Sequence, residues 1–333
     1  MHKNNANTAA KQSLLVAALR YHAAGLHVIP VPYGKGNKLI FPKDWAKYRE
    51  EQTADQVRAL FSKPSDLIAI LCGNGVEGID IDVKHDPSKT IDQEFFDLVR
   101  EDEVASTALE KCVQVRTKSG GWHIIYRAKN IEGNQKLAIR NGGKEAVIET
   151  RGTGGLLFAA PSPGYRIEQG DYTNLQLLTN VERDTLISCA RILSERPEAH
   201  SAETMQAHQN GQSEKPWDVY NAKHDVAELL DQYGWREVRR SGDKIYLNRP
   251  GAEHPDGIDG TILTTRTGNR RFFPHTTSSK YDAGKCYSPF GIYAIEEHNG
   301  AIKAAIKALV KLGYGSTRKS RKRATKPNGA TNG

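Results

Sequence analysis

No apolar run in this sequence approaches the eighteen or so residues that a membrane-spanning helix needs. The first ten residues are polar and lack the basic-then-apolar layout of a secretory signal, so a cytoplasmic location is the expectation. Cysteine is scarce and unpaired. Cys72, Cys112, Cys189 and Cys286 stand far apart and form no CxxC pair, which argues against a zinc ribbon and a disulfide framework and leaves each as a small buried hydrophobe. No GxxxxGK[ST] occurs, so there is no P-loop and no motor of that kind. An HUH-type nicking motif is absent, as is the Asp…Glu-x-Lys core of many metal-dependent nucleases. Positive charge is scarcer than it looks. The net charge is +8, yet Arg318, Lys319, Arg321, Lys322, Arg323 and Lys326 fall within residues 316–333 without one acidic residue, leaving +2 elsewhere. That tail either grips phosphates without sequence preference or is an ordinary solvated terminus.

What is present, in 333 residues, is enough for two ordinary domains. Leu14, Leu15, Ala18 and Leu19 recur at helical spacing, with Gly25 as a left-handed stop. His27 to Val31 reads as a strand ended by Pro32, and Tyr33 to Lys47, with two glycines, a proline and four lysines, reads as a loop. Thr53 with Gln56 forms a capping box that opens a helix running to about Phe61. Short apolar runs follow at Leu67–Leu71, Gly78–Val83, Val113–Arg116, Trp122–Tyr126, Ala146–Glu149 and Leu156–Ala159, all expected strands. Helices are expected at about Thr90–Val99 and Glu182–Leu193. Residues 195–216 contain almost nothing that builds a core and read as a linker. A second unit runs from Trp217 to Gly315. It opens with a helix at about Ala222–Tyr233, continues through strands with Gly/Pro turns, and closes with a helix from Ala301 to Leu312, stopped by Gly313.

Three features carry chemistry. In Gly78-Ile79-Asp80-Ile81-Asp82-Val83, strand alternation puts both carboxylates on one face. Adjacent carboxylates repel unless something positive lies between them, and a hard dication is the usual answer. Composition alone supplies about four or five acid-x-acid pairs in such a chain, and an exposed strand face is the plain alternative. Next, Ser119-Gly120-Gly121-Trp122-His123 is a glycine turn entering a strand. It either brings backbone N–H groups and an imidazole to a phosphate or is a simple hairpin. Third, Glu149-Thr150-Arg151-Gly152-Thr153-Gly154-Gly155 ends a strand with a carboxylate. An arginine suited to phosphate charge follows, the plain alternative being a surface Glu149/Arg151 pair.

Taken in order, these stretches resemble the N-terminal domain of bifunctional DNA primase/polymerases, of the archaeo-eukaryotic primase superfamily. The resemblance runs from Ala17 to about Ser162. It covers the opening AALRYHAAGLHVIPVPYGKGNK, then GIDID, SGGWH and IETRGTGGLLFAAPS. It implies an α+β fold, with an RRM-like sheet plus a small α/β unit as the catalytic core and a smaller mixed α/β accessory domain behind it. The corresponding division is 1–194 catalytic, 195–216 linker, 217–315 accessory and 316–333 a basic disordered tail. The resemblance further implies that Asp80, Asp82 and Glu149 hold two Mg²⁺ or Mn²⁺ ions. Ser119, Gly120, Gly121, His123 and Arg151 would bind the incoming NTP or dNTP, and single-stranded DNA would be the template. Relatives usually have aspartate where this chain has Glu149. With no motor motif in the chain, a separate replicative helicase is the expected partner, in a phage- or plasmid-type replication system. A metal-dependent nuclease and a non-catalytic adaptor that binds single-stranded DNA are the competing functions.

The second unit also resembles the zinc-binding domain of bacterial primases in its layout of hairpin, aromatic strand and closing helix. The zinc-ligating cysteines are missing, so no zinc is expected. Arg249, Arg266, Arg270, Arg271 and Lys285 lie among Tyr246, Phe272, Phe273 and Tyr287. The set suits single-stranded DNA, with bases on rings and backbone along cations; alternatively the rings form this unit's core. Arg249, Arg270, Arg271 and Lys285 are the DNA-binding candidates.

Overall fold

Thr53 and Thr179 each cap a helix by the same reciprocal device. Each hydroxyl accepts from the backbone N–H three residues on, while that residue's side chain (Gln56, Glu182) accepts from the cap's own N–H. The computed structural model describes residues 14–63, 65–140, 145–195, 215–264, 268–283 and 285–316. Most of the expected linker, the basic tail beyond 316, and Arg266 lie outside the described residues. The chain divides into two units: residues 1–196 with 237–261, and residues 197–236 with 262–333.

The first unit is mixed α/β with antiparallel sheets. Its elements are α1 (14–23), β1 (Val28–Val31), α2 (Ala54–Leu60), β2 (Leu67–Leu71), β3 (Val76–Ile81), α3 (Ile91–Arg100), α4 (Glu103–Lys111), β4 (Val113–Arg116), β5 (Trp122–Arg127), β6 (Lys136–Arg140), β7 (Glu145–Arg151), β8 (Leu156–Ala159), β9 (Arg166–Gln169) and α5 (Asn180–Ile192). Two sheets result, β1-β2-β8 and β6-β7-β3-β5-β4-β9. Alternation along β3 and β5 decides their two faces. Ile79, Ile81, Ile124 and Tyr126 pack with Phe95, Val99, Ala105, Leu186 and Ala190 of α3, α4 and α5. Val76 and Ile125 turn the other way, toward Ile68, Ile70, Leu157 and the α1 residues Leu14, Ala18 and Tyr21. At Gly78 the two sheets approach closely, since a Cβ there would lie 2.4 Å from Leu157 Cδ1. Residues 237–261 add β10 (Arg236–Ser241) and β11 (Lys244–Asn248), hydrogen-bonded neighbours. All four cysteines are buried. Burial pushes the thiols of Cys72, Cys112 and Cys189 up, Cys189 to about 12, so none is poised as a nucleophile.

The second unit differs from the sequence reading at its opening helix. The single helix expected at Ala222–Tyr233 is two helices, α6 (Pro216–Lys223) and α7 (Val226–Gln232), in the full chain order. The break falls at His224-Asp225, where the Asp225 carboxylate accepts from the N–H groups of Ala227 and Glu228 and starts a new helix. Helix α8 (Pro289–His298), for which the sequence reading set no bounds, is started by Ser288 and stopped by Asn299 in the left-handed region. Strands β12 (Gly260–Thr264) and β13 (Arg270–Pro274) precede it. Helix α9 (Ile302–Lys311) follows, with Gly313 at φ +85° beyond its end. Trp235, Phe272, Tyr281 and Tyr287 form an edge-to-face aromatic cluster inside this unit. Among the described residues, no helix is long and apolar enough to cross a membrane.

Candidate active site

The central strand β3 brings the three motifs together. Antiparallel pairing sets Asp80 opposite His123 of β5 on one side and opposite Glu149 of β7 on the other. Lys136 of β6 stands opposite Glu149, and Val115 of β4 opposite His123, so one row crosses the sheet as Lys136, Glu149, Asp80, His123, Val115. Directly opposed residues share a face. Asp80, His123 and Glu149 therefore stand on the face turned away from α3, α4 and α5. Residues separated by some seventy positions in the chain meet because hydrogen-bond register places them there.

Arg151, two residues beyond Glu149 on the same face, bridges the carboxylates. Its Nε and Nη2 lie 3.2 and 3.0 Å from Asp80 Oδ2, and Nη2 lies 2.6 Å from Glu149 Oε1. Burial pushes the Glu149 carboxyl above its ordinary range, and Asp80 and Asp82 add to this, against Arg151 and Lys136. His123 is buried with Nε2 3.5 Å from Asp80 Oδ1. Burial holds its imidazole below the usual histidine range despite the pull of Asp80, with Arg151 acting in the same direction as burial. The ring is therefore a neutral group near pH 7.

Asp82 departs from simple alternation. The strand stops at Ile81, and Asp82 donates its N–H to the Val147 carbonyl at 2.8 Å before capping a 3₁₀ turn, Val83–His85. Its Oδ2 lies 2.9 Å from Lys84 Nζ and 3.4 Å from His85 Nε2, while His85 Nδ1 pairs with Glu145. Its Oδ1 is buried and has no hydrogen-bond partner. A buried carboxylate oxygen without a donor is costly unless a cation is to be received there. Among the described residues, no three carboxylate, imidazole or thiol groups converge to hold an ion as they stand. Arg151 supplies the positive charge between Asp80 and Glu149 instead. The donor set, three carboxylates and hence all oxygen, fits a hard dication in type.

The glycines prove to be packing residues first. A Cβ on Gly121 would lie 2.0 Å from the Ile81 carbonyl oxygen, and one on Gly152 would lie 2.1 Å from the Glu132 oxygen. Only glycine lets these backbones meet. Gly120 and Gly121 donate their N–H groups to the carbonyl and hydroxyl of Thr117, at 3.0 Å each, so both are satisfied inside the turn. Lys118 and Ser119, exposed at its tip, are what the turn offers outward.

Sequence reasoning missed an aromatic wall beside this row. Tyr165 sits 5.9 Å from the His123 ring between centroids, and 6.0 Å from Phe158. Burial raises its phenol to about 12, with Tyr33, Asp80 and Asp82 adding to the shift. Lys118 Nζ lies 5.3 Å over the Tyr33 ring and 3.4 Å from its hydroxyl. Gly164 packs against Lys118 so closely that a Cβ there would lie 2.8 Å from the lysine Cγ, and this contact joins the turn of Tyr165 to the turn of His123. A tyrosine after Pro-Ser-Pro-Gly carries no local signal of this placement; only the fold does. The DNA-binding candidates lie apart from the row in sequence, and each makes a contact within its own unit. Arg249 lies 3.8 Å from Asp259, Arg270 2.9 Å from Asp225, and Lys285 3.6 Å from Asp282, while Arg271 donates to the Arg270 carbonyl at 3.0 Å. Tyr246, Phe272, Phe273 and Tyr287 are buried, as the alternative reading of these rings as core has it.

The fold and site define a class: an α+β protein with a carboxylate–imidazole–guanidinium row on a central antiparallel strand. Residues 18–182 match the family model of the bifunctional DNA primase/polymerase N-terminal domain. Through this segment, which contains every residue of the row, the chain is similar to that family. No curated protein matches the chain.

Proposed function

We propose that the chain is a template-dependent primase–polymerase that joins a 3′-hydroxyl to the α-phosphate of an incoming NTP or dNTP, with pyrophosphate leaving. One observation carries this reading: the register that sets Glu149, Asp80 and His123 side by side on β7, β3 and β5, with Arg151 across the carboxylates. Asp80, Asp82 and Glu149 would hold Mg²⁺ or Mn²⁺. Such ions, when bound, lower the cost of forming the attacking alkoxide and of the charge on the leaving pyrophosphate.

The chain's own groups do the rest. Arg151 balances Asp80 and Glu149 here and becomes available to triphosphate oxygens when those carboxylates are otherwise neutralised. A neutral His123 donates one N–H to a phosphate oxygen without bringing a second positive charge. Lys118 and Ser119 offer an ammonium and a hydroxyl from the turn, in place of the two glycine N–H groups already bonded. Tyr165 lies beside the His123 ring, 5.9 Å away between centroids. The two antiparallel sheets of the first unit would form the RRM-like catalytic core expected of the family. Residues 1–194, with residues 237–261 of the same unit, would carry that catalytic domain, the 195–216 linker would follow, and the rest of 217–315 would be a template-handling accessory region ahead of the basic tail. A separate helicase would supply unwinding, in a phage- or plasmid-type replication system.

Incubation with labelled nucleotides, Mn²⁺ and a single-stranded template tests the reading. Extension is the expected outcome. Template shortening would favour a nuclease, and binding without product over a range of metals would favour an adaptor.

A further inference from the structure

The positive charge of this chain has one address. Residues 301–333 hold nine lysines and arginines and no acidic residue, so the first 300 residues sum to −1 against a total of +8. Three of the nine, Lys303, Lys307 and Lys311, belong to α9, where spacing of four places them on one stripe. All three are exposed, and among the described residues none makes an ion pair. The opposite side of the helix is committed to the core through buried Ala305 and Leu309. Beyond its C-terminal end, Tyr314 folds back, its N–H donating to the Leu309 carbonyl at 2.9 Å. The partly exposed Tyr314 ring is fixed by a 2.8 Å bond between its hydroxyl and His224 Nε2, and Lys223 Nζ lies 5.4 Å over it. Partly exposed Tyr293 belongs to the same ring cluster through Tyr220. By contrast, Arg249, Arg270 and Lys285 each face a carboxylate.

We infer that α9, with the Lys223–Tyr314–His224 cluster at its C-terminal end, is the surface on which the second unit holds single-stranded DNA. A stripe of unpaired ammonium groups beside fixed, partly exposed rings matches a polyanion whose bases are free to stack. Duplex DNA would use the charges but not the rings. The inference rests on the proposed function for the identity of its ligand, while its test does not need catalysis.

The measurement is fluorescence anisotropy of labelled oligo-dT with the full chain, across a salt series. The variant K303Q/K307Q/K311Q keeps helix propensity and touches nothing in the active-site row. Its affinity at low salt is expected to fall roughly tenfold or more, and its salt slope by about 2, from three lost phosphate contacts on a single strand. The charge-retaining K303R/K307R/K311R is expected to keep the wild-type slope, which separates loss of charge from loss of fold. An unchanged slope in the glutamine variant overturns the inference, as does a loss shared equally by the arginine variant. Binding to phosphatidylserine vesicles through these lysines, with oligo-dT affinity unaffected, overturns it as well. A chain that extends primers but shows an unchanged slope refutes this inference alone. One that binds oligo-dT through α9 and makes no product refutes only the proposed function.

Discussion

Arg151 is the residue on which the site's electrostatics turn. Two carboxylates on neighbouring strands repel, and its planar fork meets both at hydrogen-bond distance. Lysine has one point charge and cannot span the pair in this way. The variant Arg151→Lys is therefore expected to keep some synthesis but to raise KM for nucleotide. One lost charge-assisted bond, worth about 1.5–3 kcal/mol, corresponds to roughly a ten- to hundredfold rise in steady-state kinetics. An unchanged KM would remove Arg151 from the nucleotide site. Asp80 and Glu149 stood out in the sequence because a carboxylate set in a short apolar run is a local signal. Tyr165 was not, because its place beside His123 depends on two turns meeting at Gly164 and Lys118.

At the scale of elements, capping and alternation were readable where they are local. The capping box of Thr53 and Gln56 gave the start of α2, and β2, β4 and β8 fall where their apolar runs lie. Helix α4 was missed because Glu101, Asp102 and Glu103 read as a polar stretch. Asp102 is in fact its N-cap, accepting from Ala105 N–H at 3.0 Å. Strands β6 and β9 were missed as well; they occupy the two edges of the six-stranded sheet, where the apolar pattern is weakest. The glycine turn was read for its phosphate chemistry, but its first demand is steric. Gly121→Ala drives a Cβ onto the Ile81 carbonyl and is expected to destabilise by about 1–3 kcal/mol or more. Gly120→Ala meets open space and incurs only the left-handed backbone penalty, about 1–2 kcal/mol. Denaturant unfolding of both orders them; a larger loss at Gly120 would contradict the packing role of Gly121.

For the molecule as a whole, the first unit is not finished at residue 196. Asp102, fully buried, accepts from Arg239 Nη2 at 3.0 Å and from the Tyr246 hydroxyl at 2.6 Å, so the β10–β11 segment is tied to α4. Nothing in the linear sequence pairs residues 102 and 239; the buried charge does. Burial opposes ionisation of Asp102, but the Tyr246, Ala105 and Arg239 contacts prevail and hold its carboxyl below the usual range. A depressed pKa contributes stability above the unfolded value, near 3.9, and that stability is lost as pH falls through the folded value. Asp102→Asn is expected to cost about 3–5 kcal/mol near neutral pH, leaving Arg239 without its partner. It should also flatten the decline of stability below about pH 4. Thermal melts of both proteins over that range measure it, and parallel curves would contradict the role of this ion pair.

Asp82, with its unbonded buried oxygen, is where the proposed nucleotidyl-transfer site and the demands of the fold part most clearly. The most direct measurement is primer synthesis on single-stranded DNA by Asp82→Ala beside the wild type, with Mg²⁺ and Mn²⁺, NTPs and dNTPs run separately, and thermal unfolding of both proteins. The expected result is product from the wild type, none from the variant, and closely similar unfolding midpoints. Full synthesis by a folded Asp82→Ala protein would contradict it.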